Sequence, residues 1–224
     1  MSPPTSGIFM SQKKYAQDVL KRFNMSECKS ASTPVECGVI LTKEDTGKAV
    51  DPTLFNQMVG SLRYLCSNRP EISYGVGLIS KFMENPQESH FVAAKRILRY
   101  LIGTLGHGVL FPNIRYIVRS EVVGYVDSDW CGYKDDKKST IGYVFFCGDA
   151  HVSWCSKKQP IVALSSCQAE YVAASYSACQ VVRLGMLMEE IGLRRNGSMK
   201  LQIDNKSVID LSKHPVAHGK SKPI

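Results

Sequence analysis

An α/β fold built on a mixed sheet, preceded by a mainly helical region, is the architecture the sequence predicts. Apolar residues recur at helical spacing through most of 11–102, and the period switches to alternation after Gly108. Strand-like stretches, among them a three-stranded meander, then precede a long helix, a strand and a short helix. Antiparallel strands first, with a parallel strand after the helical crossover, satisfy that β-β-β-α-β-α order. A boundary between 105 and 120 divides a helical region, 1–110, from a sheet domain, 120–224.

The first helix is expected over 11–23, where Tyr15, Ala16, Val19, Leu20 and Phe23 share a face and Ser11 offers an N-cap. Residues 27–51 carry Pro34, Gly38 and Gly47 among polar neighbours and read as a long loop with a short strand at 39–41. Helices follow over 53–66, 71–83 and 87–102, the last with an apolar stripe of Phe91, Ala94, Ile97, Leu98 and Leu101. Its Lys95, Arg96 and Arg99 point elsewhere, as a solvated or a nucleic-acid-facing surface. Strands are expected at 108–111, 114–118, 122–127, 139–147 and 151–155, the last two joined by Gly148-Asp149-Ala150. A helix over 166–191 stops at Gly192, and a strand at 199–204 leads into a helix over 205–212.

Composition narrows the function classes. With 44% hydrophobic and 21% charged residues the 224-residue chain should fold, and its net charge of +8 suits a polyanionic partner. The eight cysteines lack C-x-x-C pairing, which argues against a zinc site or disulfide framework and for reduced, mostly buried thiols. No signal-like N-terminus and no run of about 18 apolar residues is present, so a cytoplasmic or nuclear protein, neither secreted nor membrane-bound, is expected.

The chemistry-bearing residues are acidic. The predicted topology sets Asp127 at the end of one strand, Glu170 in the first turn of the long helix and Asp204 at the end of the strand after it. Three converging carboxylates raise one another's pKa, and hard divalent cations relieve that repulsion through oxygen ligands. Two such ions can activate water and stabilise the leaving oxygen in phosphodiester hydrolysis. Any one of these acids alone would read as a strand-end cap or helix-face charge; three in consistent places favour a metal site.

Three segments, GYVDSDWCGYKDDKKSTIGYVFF (124–146), VSWCSKKQPIVALSSCQAEYVAAS (152–175) and LQIDNKSVIDLSKHPVAHGKSKPI (201–224), closely resemble the ribonuclease H domain of copia-type retrotransposon polyproteins. Upstream, GIFMSQKKYAQDVLKRFNM (7–25), DPTLFNQMVGSLRYL (51–65), RPEISYGVGLISKFM (69–83) and SHFVAAKRILRYLIGT (89–104) resemble the end of the same family's reverse transcriptase, a thumb- or connection-like region. The resemblance implies a ribonuclease H-like sheet and a Mg²⁺-dependent endonuclease, with Mn²⁺ as a possible substitute, cutting the RNA strand of an RNA–DNA hybrid. It makes Asp127, Glu170 and Asp204 the metal ligands and gives His218 a part in proton transfer or product release. Its implied partners are the hybrid and the remainder of the reverse transcriptase.

Departures accompany it. Cys167-Gln168 stands where the family has Thr-Glu, Pro223 stands where it has His, and no Y-V-D-D polymerase motif occurs, so no polymerase activity is expected. The sequence ends at Ile224, before the place of a fourth acid, so an incomplete site and weakened activity are expected. Lys157 and Lys158, read as a turn, are candidate phosphate contacts or merely solvated charges; Trp130 and Trp154 are stacking candidates or core residues. Asp129, Asp135 and Asp136 are not taken as ligands, and a loop histidine is the plain alternative for His218. Two other readings stand beside the nuclease: an impaired fragment that only binds nucleic acid, and an effector-like protein, since Arg96-Ile97-Leu98-Arg99 spells the R-x-L-R tetrapeptide of secreted oomycete effectors.

Overall fold

The computed structural model describes residues 7–43, 47–112, 121–192 and 199–213. The strand expected at 114–118 and His218 lie outside them. The chain is of the α/β class and divides into two compact units, one of residues 9–109 and one of 1–8 with 110–224. Two short strands, β1 (Gly7–Met10) and β2 (Val109–Pro112), pair as a two-stranded sheet. The first of them was not expected, because its four residues are all exposed and carry no alternation to read.

In the unit of 9–109, α1 (Lys13–Arg22) buries Ala16, Val19 and Leu20. Its cap position is Gln12, not Ser11, and the Gln12 carboxamide donates instead to the Tyr64 carbonyl and Ser67 Oγ. In α2 (Pro52–Leu65), Asp51 caps the helix by accepting from the Thr53 N–H at 2.9 Å, with Pro52 pre-set for the first turn. The single helix expected over 71–83 is a 3₁₀ turn at Pro70–Ile72, then α3 (Ser73–Ile79), then a second 3₁₀ turn at Ser80–Phe82. Ser80 Oγ bonds back to the Val76 carbonyl at 2.5 Å, competing with the helical ladder where it tightens.

The last helix of this unit, α4 (Glu88–Gly103), buries His90, Ala94, Ile97, Leu98 and Leu101. His90 stacks on Phe82 at 3.7 Å and closes a capping box by accepting from the Gln87 N–H. No strand forms at 39–41. Residues 29–36 are tied to α4 by polar bonds: Arg99 to the Lys29 carbonyl, Arg96 to Thr33 Oγ1, and the Ala31 N–H to the Arg99 carbonyl. Two of the three cations expected on an open face are therefore loop anchors.

The other unit holds a four-stranded mixed sheet ordered β5-β4-β3-β6, made of β3 (Val122–Asp129), β4 (Thr140–Cys147), β5 (Ala150–Lys158) and β6 (Lys200–Ile203). β3 pairs antiparallel with β4 and parallel with β6. Cys147 pairs with Ala150, so Gly148 and Asp149 alone make the β4–β5 turn, and Gly148 takes the φ of +58° that the turn needs. The long helix α5 (Ser166–Glu190) packs on β3 and β4 and buries small residues, Ala169, Ala173, Ser177 and Gly185, along with Glu170. Core residues Val122, Val126, Ile141 and Phe145 meet it. Ser165 caps α5 through the Gln168 N–H, Gly192 follows its end at φ +73°, and a last helix, α6 (Lys206–Lys213), follows β6.

β5 continues to Lys158, past the expected end at 155, so Lys157 and Lys158 are strand residues and not a turn. The cysteines are less buried than expected: all eight are free thiols, but only Cys147 is buried, while Cys37 and Cys179 are exposed. Among the described residues no helix is long and apolar enough to cross a membrane.

Candidate active site

The parallel pairing of β3 with β6 ends at Val126 and Ile203, so Asp127 and Asp204 are the next residues of the two adjacent strands, at the same end of the sheet. Both are exposed. Glu170, expected in the first turn of α5, lies just beyond that turn, as the fifth residue of the helix, and is 7% exposed. Its Oε1 accepts from the Ser128 N–H at 3.2 Å, an N–H that also points at Asp127 Oδ1, 2.8 Å away. Its Oε2 is buried and has no hydrogen-bond partner.

Burial drives the Glu170 pKa up; the Ser128 N–H pulls it back, and the charges of Asp127 and Asp204, with a hydrogen bond to Asp127, push it further up, to about 7. Glu170 therefore feels both other acids and shares the Ser128 N–H with Asp127. Among the described residues no group of three His, Cys, Asp or Glu side chains closes into a ready metal cage. Asp127 and Asp204 are exposed to solvent, and their charges still reach the buried third carboxylate.

This end of the sheet is held by residues that sequence reasoning passed over. Ser128 supplies the N–H for Glu170 and donates its hydroxyl to the Thr140 carbonyl at 3.0 Å. Gln159 is 1% exposed, and its Nε2 donates to Ser128 Oγ at 3.1 Å and to the Ala169 carbonyl at 2.9 Å. A polar residue between two lysines and a proline reads as loop, so nothing local announced its burial. Asp129, not taken as a ligand, bonds Thr140 through both the backbone N–H and Oγ1.

The remaining candidates are placed as follows. Lys157 is exposed, its Nζ 5.8 Å from the Tyr176 ring centre. Lys158 pairs with Asp136 and lies 4.7 Å from the Tyr133 ring centre, so its charge is met internally. Asp136 also accepts from the Lys138 N–H; burial pulls its pKa up, but Lys158 and Lys138 outweigh that and hold it low. Trp130 is not a core residue: it is 51% exposed, because its indole N–H donates to the Ala163 carbonyl at 3.1 Å across the neighbouring loop. Trp154 is half-buried on β5, opposite Val144.

Comparison with known proteins gives relatives along nearly the whole chain. It is 38% identical over 219 residues to the retrovirus-related Pol polyprotein from transposon RE1 of Arabidopsis thaliana, covering 98% of this chain and 15% of that protein. It is 38% identical over 224 residues to the Pol polyprotein from transposon TNT 1-94 of Nicotiana tabacum, covering 97% of this chain and 16% of that one. The chain thus spans about a sixth of these polyproteins. It is also 41% identical over 127 residues to secreted RxLR effector protein 161 of Plasmopara viticola, covering 56% of this chain and 87% of the relative. No family model and no solved structure matches.

Proposed function

The chain belongs to the copia-type retrotransposon Pol family, and from that premise we propose that it carries a ribonuclease H-like domain, a Mg²⁺-dependent endonuclease that cuts the RNA strand of RNA–DNA hybrids. The carrying observation is the Glu170 carboxylate, buried against Asp127 with one oxygen left unpartnered. An acid that burial first, and neighbouring acids after it, drive toward neutrality is an arrangement a hard cation stabilises in its charged form. The donor chemistry suits such an ion although the three acids do not close into a cage by themselves: Asp127, Glu170 and Asp204 would hold it, all through oxygen. When bound, Mg²⁺ supplies the charge that activates water and stabilises a leaving phosphodiester oxygen.

The protein's own part is positional. The rigid end of β3 fixes Asp127, the Ser128 N–H aims Glu170, and the β3–β6 pairing brings Asp204 alongside. Exposed Lys157 offers a phosphate contact on the sheet that bears the acids, whereas Lys158 is engaged with Asp136. Discrimination for RNA would come through its 2′-hydroxyls. The remainder of the polyprotein is the natural partner, and polymerisation would belong to it.

The R-x-L-R tetrapeptide, by contrast, is a structural part of α4. Leu98 is 0% and Ile97 1% exposed, and Arg96 and Arg99 bind the 29–33 loop. Presenting those four residues to a receptor would require unfolding the helix.

The test is incubation of the purified chain with an end-labelled RNA–DNA hybrid and Mg²⁺, beside single-stranded RNA and duplex DNA. The expected result is cleavage of the hybrid's RNA strand alone. Asp127→Asn should lower it by about 100-fold or more, since even outer-shell partners of metal ligands are worth 10–100-fold, and should leave hybrid affinity unchanged or slightly raised. Cleavage that survives Asp127→Asn would assign the activity elsewhere; tight binding without cleavage in the parent would leave a binding-only fragment.

A further inference from the structure

We propose that Gln159 is the positioning residue of the acid cluster, its carboxamide tying the end of β3 to the first turn of α5 so that Glu170 meets Asp127. Its consequence for metal uptake rests on the nuclease reading; its effect on geometry does not.

Gln159 directly follows β5, and its own N–H donates to the Ser139 carbonyl at 2.8 Å, fixing its backbone beside the start of β4. The side chain then crosses the interior. Its two Nε2 protons go to Ser128 Oγ and the Ala169 carbonyl, residues adjacent in sequence to Asp127 and Glu170 respectively. The orientation of the amide is forced. A carbonyl such as that of Ala169 can only accept, and Ser128 Oγ, whose proton goes to the Thr140 carbonyl, must also accept from Gln159. Oε1 is left buried without a hydrogen-bond partner.

A buried unpartnered acceptor carries a penalty of about 1–3 kcal/mol. A methionine of the same length would fill the space without it, so volume alone does not account for the glutamine. What the carboxamide adds is a two-ended link across the site. Held at the hydroxyl by Gln159, Ser128 keeps its N–H on Glu170 Oε1; held at the Ala169 carbonyl, the helix start keeps Glu170 at that end of the sheet. Sub-ångström control of this kind decides whether carboxylates can share a cation.

Gln159→Met, compared with the parent by amide hydrogen exchange in metal-free buffer, tests the geometry. The Ser128 amide should exchange about tenfold faster or more, with Val126 and Phe145 amides unchanged. Calorimetric Mg²⁺ titration should then give a dissociation constant raised about tenfold, with hybrid affinity unchanged. Ser128→Ala cuts the same link from its other end, so its loss in Mg²⁺ affinity should not add to that of Gln159→Met. An unchanged Ser128 amide, loosening spread through the whole sheet, intact Mg²⁺ affinity with a loosened Ser128, or additive losses would each overturn the assignment. A parent that binds no Mg²⁺ would sink the nuclease reading instead, and the positioning role would then be decided by the Ser128 amide alone.

Discussion

Glu170 concentrates the physics of the site in one side chain. Its folded-state pKa of about 7 lies above the ordinary 4.5, so the native state holds that proton more tightly than the unfolded state. The stability this contributes is complete below about pH 4.5 and is lost as pH rises through about 7. In metal-free buffer the sheet-bearing unit should therefore lose on the order of 1–3 kcal/mol across that window. Glu170→Gln keeps an oxygen for the Ser128 N–H and removes the charge, and should flatten the loss; urea midpoints measured at several pH values in both proteins check this, and an equal decline in the variant would contradict it. Asp127 and Asp204 were legible in the sequence as strand-end acids, and Glu170 as an acid one turn into a helix. Ser128 and Gln159 were not, because a backbone N–H and a buried amide next to two lysines leave no local signature. Lys157 and Lys158 were misassigned to a turn for a related reason: strand ends depend on the pairing partner, here Ile141 and Thr140, which periodicity does not supply.

At the scale of elements, β3 shows how a single missing Cβ sets the packing. Gly124 pairs with Phe145, whose ring lies where a Cβ would sit, 2.3 Å from the nearest ring atom. Phe145 is fully buried and cannot step aside cheaply. Gly124→Ala should therefore destabilise the sheet unit by about 1–3 kcal/mol, the usual cost of overpacking, and should weaken any cleavage only through the folded fraction. Chemical denaturation with an unchanged midpoint would show that the ring relocates freely. Helices with strong apolar stripes, α1, α2 and α4, could be read from periodicity within a few residues of their ends, whereas α5 has only a weak stripe and was marked by its length and the glycine that stops it. The tightening of the 71–83 helix into a 3₁₀ turn after α3 could not, since a serine hydroxyl competes there for a carbonyl of the helical ladder. Nor could the anchoring of the 29–36 loop by Arg96 and Arg99, as a basic helix face looks the same in sequence whether it meets solvent or backbone carbonyls.

For the whole molecule, the charge of +8 is a long-range attraction for polyanions, and it should make hybrid binding fall steeply with salt. The two lysines at the end of β5 should differ within that field: Lys157→Ala is expected to lower the salt slope by about 1, and Lys158→Ala much less, because Lys158 already pairs with Asp136. Equal slopes for the two variants in filter-binding titrations would count against the assigned roles. The α/β class and the order of strands could be taken from the sequence because the period of apolar residues changes with the kind of element; how the acids share one end of the sheet required the parallel register of β3 with β6. That end as a cation site is the central claim, and the most direct measurement of it is the melting temperature at about pH 8 with and without about 10 mM Mg²⁺ at matched ionic strength. The account predicts that the parent rises by a few degrees, as ligand linkage requires for a millimolar site, and that Glu170→Gln, relieved of its buried charge, barely responds. A parent indifferent to Mg²⁺, or a Glu170→Gln variant that responds as strongly as the parent, would contradict it.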